Sequence, residues 1–489
     1  MINHQYAWVH PDVYILYDKV FNENFISNIG NVSELALAEP HRPRWINYFL
    51  SLINLELRSV INLFSFYHQG ISIAYPFTII GFPFVMYKSL KMLKFHNLSI
   101  LIGLTFYFSS LAFLGNIFHH FMSGKYLALF AISLVFYFSI HLSQMALKNN
   151  KSFYQLYKNK YFIFIFLANL FAIYCDEIAL FGMLMIPVLF PELFLFTKDQ
   201  KLKNIKIKII EIIILLSPII IYLFSGIIFN KFQFLWHLFG SGKVGQTLIA
   251  FSDGNFFPIE LFFDWPKNLI LNFLNHFGAH FVPNFISAFT YADNGPNLYQ
   301  QENNTPKILI LVAMFFYIYN LATKTIARNK ILPLISINKI FYVTLLFFVI
   351  QTFINSFHKP ISAGYYYGST FSFILVLLFA SLSHYVLLSK NRLHKSLFFI
   401  FLISLTIISI SNFFILNDRF RYSHALSWNN VLKHDYPNYD VSVSDSKSNI
   451  NSMQLLRKNW LNIYPNKDEV RDLNFTIEEV GYFYQLRKR

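Results

Sequence analysis

Residues 161–196 read YFIFIFLANLFAIYCDEIALFGMLMIPVLFPELFLF. A single membrane-crossing helix takes roughly 20 apolar residues, so this run is too long for one span and long enough for two. Near its middle stand Asp176 and Glu177. An ionised carboxylate at the centre of a bilayer costs about 2.5–3.5 kcal/mol, a cost avoided if the acidic pair marks the tip of a helical hairpin. The reading therefore predicts two helices with Asp176 and Glu177 facing water between them. Lys158 and Lys160 precede the run, and Lys198 and Lys201 follow it. Both outer ends are then cytoplasmic by the positive-inside rule, and the acidic tip is exoplasmic.

Composition supports the same class. The chain has 489 residues, 55% hydrophobic and 19% aromatic but only 13% charged, with 59 Phe and 30 Tyr. We expect an all-α polytopic transmembrane helix bundle with exoplasmic amphipathic helices and loops. Apolar runs at 71–87, 98–118, 126–147, 161–175, 178–196, 209–229, 307–327, 340–357, 365–389 and 396–416 give about ten spans. Alternate loops are rich in lysine, whereas the short opposite loops 119–125 and 358–360 contribute only Lys125 and Lys359. That contrast sets the orientation, and it holds only if 161–196 is divided in two. Of the 25 acids, all but Glu192, Asp199 and Glu211 fall on the exoplasmic side. The net charge of +15 is spread over short inter-helix clusters rather than one groove, which excludes nucleic acid as a partner. The partner implied is a lipid bilayer, the bacterial inner membrane. A lone cysteine, Cys175, excludes an intrachain disulfide.

Three exoplasmic pieces surround the 71–416 bundle: residues 1–70, the 230–306 loop within it, and the 417–489 tail, read as a small cap or arm. Within the first, Ile46–Tyr67 has helical apolar periodicity with Glu56 and Arg58, and reads as an amphipathic helix on the membrane surface. An exoplasmic segment of 70 residues needs translocation, so a first span is expected upstream of Met1.

Four stretches carry a family resemblance. His10-Pro11-Asp12-Val13-Tyr14, with Asp18, is similar to the acidic first exoplasmic loop of the GT-C superfamily of polytopic glycosyltransferases. Arg42-Pro43-Arg44-Trp45, opening the amphipathic segment, is similar to the basic and aromatic stretch of bacterial glucosyltransferase-like branches. Asp176-Glu177-Ile178-Ala179-Leu180 resembles the acidic start of a later span, and Gly364-Tyr365-Tyr366-Tyr367-Gly368 a tyrosine-rich entry to a late one. The resemblance implies transfer of a sugar from a polyprenyl-phosphate-linked donor to a cell-envelope glycan, lipid or protein acceptor. A carboxylate would deprotonate or orient the acceptor, with Asp12 first in line and Asp18 second, and Asp176 or Glu177 in a supporting role. Cations would meet the leaving phosphate. Arg42, Arg44 and the His358-Lys359 pair are the candidates, with Tyr366 as a substrate platform. No cofactor is assigned, and the chemistry is open to a metal-independent or a divalent-metal-assisted course.

Simpler readings stand beside these. Asp176 and Glu177 also fit a solvated hairpin tip, and Asp12 and Asp18 a polar loop or a helix cap. Arg42 and Arg44 fit anchoring beside Trp45, and the tyrosines an aromatic belt. His276 and His280 have metal-ligand spacing on a helix but imply no third ligand. Two rival functions share the architecture. A polysaccharide polymerase of the O-antigen type would place arginines in the large exoplasmic loop, and 230–306 has none. A transporter or flippase would break helices at mid-membrane, for which Pro76, Pro83, Pro187 and Pro218 are the material.

Overall fold

The computed structural model describes residues 25–38, 45–62, 73–109, 123–148, 156–176, 179–190, 202–231, 337–355 and 368–388, with a few single positions between 270 and 403. Every regular element among them is helical, so the fold is all-α. In chain order the helices are α1 (Phe25–Ala38), α2 (Trp45–Asn62), α3 (Phe82–Met92), α4 (Asn97–Ser109) and α5 (Ser123–Lys148). They continue with α6 (Lys160–Cys175), α7 (Ala179–Leu189), α8 (Leu202–Lys231), α9 (Ile337–Asn355) and α10 (Gly368–Leu388). A π-helical turn, Pro76–Gly81, leads into α3, and a 3-10 turn, Leu156–Lys158, leads into α6.

Helix α5 is the axis of the fold. Its 26 residues contain no proline, and at 1.5 Å per residue they extend about 39 Å. Helices α2, α3, α6, α7 and α10 all pack against it. Small residues make room for them: Gly124, Ala128, Ala131, Ser133, Ser139 and Ser143 lie along its length, the last five buried. Among the described residues, Gly124–Met145 is the segment with both the length and the apolarity of a membrane span, at mean hydropathy 1.8. Shorter apolar helices surround it, including Lys160–Cys175, Ile337–Phe353 and Ser372–Leu388.

The helices are apolar on both faces. Phe136 touches Phe190 and Phe373 in the interior, with ring centroids 5.8 and 5.4 Å apart. Outward faces carry Ile163, Phe164 and Leu167 on α6, Ile210, Ile213 and Phe224 on α8, and Leu346 and Phe353 on α9. A helix bordering water on one side keeps a polar stripe there, and these do not. Buried hydroxyls meanwhile turn back on their own helices. Ser133 donates to Phe130 O at 2.6 Å, Thr344 to Ile340 O at 2.7 Å and Ser383 to Phe379 O at 2.6 Å, which satisfies them without a partner helix.

The break inside 161–196 falls where the carboxylate argument requires. Asn159 caps α6 by accepting the Tyr161 N–H at 2.9 Å. The helix stops at Cys175 because Asp176 turns extended, at φ −162° and ψ 135°. Helix α7 then starts at Ala179, whose N–H donates to Asp176 O at 3.1 Å. The amphipathic segment differs from its expected placement. Helix α2 packs on α1, α5 and α6, burying Tyr48, Leu50 and Leu52 together with the polar Asn47 and Asn54. Asn54 accepts the Ile73 N–H at 2.8 Å, so polar groups of α2 dock on the bundle rather than on solvent.

Candidate functional site at the α6–α7 junction

Asp176 is the one sequence-derived site residue whose surroundings are described, and its environment corrects the expectation. The acid does not face water: it is 1% exposed. Lys125, in the first turn of α5, lies with Nζ 3.6 Å from Asp176 Oδ2, and its side chain is buried as well. The physical reason is pairing. A charge leaves water at tolerable cost only when an opposite charge goes with it. The reading of Asp176 as a solvated hairpin tip is thereby excluded.

The helix ends set this pair up. The N-terminus of α5 carries partial positive charge, which disfavours a lysine there and favours a carboxylate. Asp176 supplies that carboxylate from the end of α6. Helix α2 closes the third side. Asn47 Oδ1 accepts the Gly124 N–H at 3.1 Å, satisfying one of the donors that a helix start leaves open. A Cβ at Gly124 would collide with the Asn47 side chain, so glycine is what allows α2 this close. Two residues before Asn47, the Trp45 indole N–H donates to Ser33 Oγ at 3.0 Å, and its ring stacks on Phe49 at 5.8 Å. Trp45 thus ties α1 to α2 in addition to any interfacial role.

The junction brings together three parts of the sequence: the helix that follows Arg42-Pro43-Arg44, the single cation of the 119–125 loop, and the first acid of the 176–177 pair. Asp12, Asp18, Arg42, Arg44, Glu177, His358, Lys359 and Tyr366 lie outside the described residues, as do His276 and His280. Sequence reasoning missed Lys125 and Asn47 as site residues. The signal for Lys125 was present, since it is one of only two cations in the short loops opposite the lysine-rich ones. Asn47 had none.

A second buried carboxylate lies at the other end of α6. Glu211 on α8 is 1% exposed, and its Oε1 accepts the Tyr157 N–H at 3.2 Å, clamping the turn before α6. Among the described residues no group of three His, Cys, Asp or Glu side chains is placed to hold a metal. Chemically, the Lys125–Asp176 pair is a cation and a carboxylate held as a neutral unit away from water. The residue types are those that bind an anion and accept a proton. No protein family, curated protein or solved structure matches the chain.

Proposed function

We propose that the chain is a polytopic membrane glycosyltransferase of the GT-C kind, moving a sugar from a polyprenyl-phosphate carrier to a cell-envelope acceptor. The observation that carries this reading is the buried Lys125–Asp176 pair, bordered by the helix that Arg42 and Arg44 precede. Phosphate-linked donors call for a cation at the leaving group and a carboxylate at the acceptor, and the pair supplies both at one helix junction. Support for the membrane setting comes from the outward isoleucines and phenylalanines of α6, α8 and α9, the span-length α5, and the alternation of basic loops. In this reading the α6–α7 junction is exoplasmic, and Asp12 and Asp18 come to the same side as the catalytic acids, with Glu177, Arg42, Arg44, His358, Lys359 and Tyr366 as contributors to donor and acceptor binding.

The test separates chemistry from folding. Asp176→Asn and Lys125→Gln, and the apolar double variant Lys125→Met with Asp176→Leu, are returned to a deletion strain and the envelope glycan is profiled. The double variant removes both charges and so retains its fold. The reading expects membrane levels of the double variant near wild type with the glycan product lost. A double variant that restores the product removes the pair from the chemistry.

A second reading, passage of a polar solute through the bundle, is favoured by one observation. Gln351, Thr352 and Ser381 are fully buried, and their side-chain polar atoms meet no hydrogen-bond partner among the described residues. If these groups serve only as packing, Gln351→Leu stabilises the protein by about 1–3 kcal/mol, the usual cost of an unsatisfied buried group, with function intact. Loss of function at raised stability would favour the transport reading.

A further inference from the structure

The turn between α3 and α4 is closed by two imidazoles that both act as acceptors. The His96 backbone N–H donates to Nδ1 of His384, on α10, at 3.0 Å. His96 in turn uses its own Nδ1 to accept the Leu98 N–H at 3.2 Å, while its carbonyl accepts from Ile100 N–H at 3.1 Å and from Ser99 Oγ at 2.6 Å. His96 is thus the N-cap of α4. A backbone N–H only donates, so each Nδ1 contributes a lone pair and each ring is neutral with its proton on Nε2.

We propose that His96 and His384 form an acid-sensitive latch joining the α3–α4 turn to α10. Protonating Nδ1 of either ring removes the lone pair that accepts the amide, turning attraction into a clash of two donors. An imidazolium at His96 also opposes the positive N-terminus of α4. Among the described residues, the helices that pack on α10 offer no carboxylate to offset the charge. Of the elements that meet His384 or pack on its helix, α3 and its turn carry Lys88, Lys91 and Lys94, and α9 carries Lys339 and Tyr342. Helix α5 carries His141 and Lys148 in its second half, its Lys125 being engaged by Asp176 at the far junction, α10 itself carries Tyr385, and the positions beyond it Arg392 and Lys395. Helices α3, α4, α5, α7, α9 and α10 contain no carboxylate. Lys91 is engaged by Asn97 Oδ1 at 2.6 Å, and His384 itself packs on the Phe95 ring at 5.4 Å. What the latch secures is the α4–α10 contact, where Gly103 meets Val376 and Phe106 stacks on Phe379 at 3.9 Å. Its stabilisation is present while both rings are neutral and is lost when either takes up a proton, so it weakens as pH falls.

The test uses the full chain in detergent micelles at pH values of about 7.5 and about 5.5, either side of the value for a free imidazole. The variants are His384→Gln, His96→Asn and both together. Gln and Asn keep an acceptor oxygen without a titrating proton, and Asn is a preferred N-cap. Wild type is expected to melt several degrees lower at the acid pH, with about half of that drop or more absent from the double variant. Amide exchange at residues 96–98, corrected for intrinsic rates, is expected to quicken in acid only where the histidines remain. His96→Asn, at an exposed position, serves if His384→Gln does not fold, and its Leu98 amide is then expected to lose its acid sensitivity. Equal acid destabilisation in wild type and double variant, or acid-sensitive exchange at Leu98 in His96→Asn, overturns the latch.

Discussion

The α6–α7 and α3–α4 turns do the same mechanical job by different chemistry. Each joins two helices and fastens to a third, α5 in one case and α10 in the other. The α6–α7 turn fastens through a buried ion pair, Lys125 to Asp176. The α3–α4 turn fastens through neutral imidazoles that accept backbone amides. An ion pair shut away from water is intolerant of losing one member. An imidazole acceptor survives conservative replacement but not protonation. One junction is therefore built for fixed charge and the other for response.

The sharpest way to break this contrast is to remove one charge. Asp176→Leu or Lys125→Met leaves the other ion buried without compensation, at a cost of about 3–5 kcal/mol. The double replacement Lys125→Met, Asp176→Leu is expected to recover most of that loss. Thermal unfolding of the four proteins in detergent gives the coupling directly as a double-mutant cycle. Additive losses in the double variant would mean that the two charges do not compensate each other, and the account of the α6–α7 junction would have to be abandoned.

That the chain breaks at Asp176 was legible from sequence, because the cost of a carboxylate within an apolar run is a local matter. The helices predicted at 126–147, 340–357 and 365–389 appear as α5, α9 and α10 for the same reason: length and apolarity are read one segment at a time. The burial of Asp176 was not legible. It depends on Lys125, which lies on another helix, and hydropathy carries no information about which helix end meets which. The docking of α2 was hidden likewise. Asn47 and Asn54 look like ordinary polar positions of an amphipathic helix until Gly124 and Ile73 present amides to them. The His96–His384 contact joins a side chain to a backbone group, and backbone groups leave no mark in the residue alphabet.

A smaller effect sharpens the comparison at the level of packing. Gly124→Ala and Gly103→Ala each force a Cβ into occupied space, and each is expected to cost about 1–3 kcal/mol. The obstacles differ. At Gly124 it is the Asn47 side chain; at Gly103 it is the Val376 carbonyl, 2.8 Å from the added carbon, with Ala380 Cβ at 3.1 Å. Truncating Asn47 to Ala in the Gly124→Ala background is therefore expected to return part of the loss, measured as an upward shift in melting temperature. Truncating Ala380 to Gly is expected to return less of the loss in Gly103→Ala, because the nearest obstacle there is the Val376 backbone carbonyl. Recovery at neither position would show that Asn47 is held too firmly by α2 to yield.

The smallest effect concerns the turn that carries His96. Helix α3 ends with Lys94 in the left-handed region, at φ 63°. The Phe95 N–H reaches back to Leu90 O at 3.1 Å and the Lys94 N–H to Lys91 O at 3.0 Å, a C-cap arrangement that glycine ordinarily fills. Relief of the Cβ contact is worth about 1–2 kcal/mol, and the added freedom of glycine in the unfolded chain takes back about 0.5–1 kcal/mol. Lys94→Gly is thus expected to stabilise by about 1 kcal/mol or less, a small upward shift in melting temperature. The substitution also removes a cation from the neighbourhood of the two imidazoles. Losing a nearby cation makes protonation of the imidazoles easier, so the acid transition in Lys94→Gly is expected to move toward higher pH, and a shift in the acid direction would contradict the electrostatic account of this turn.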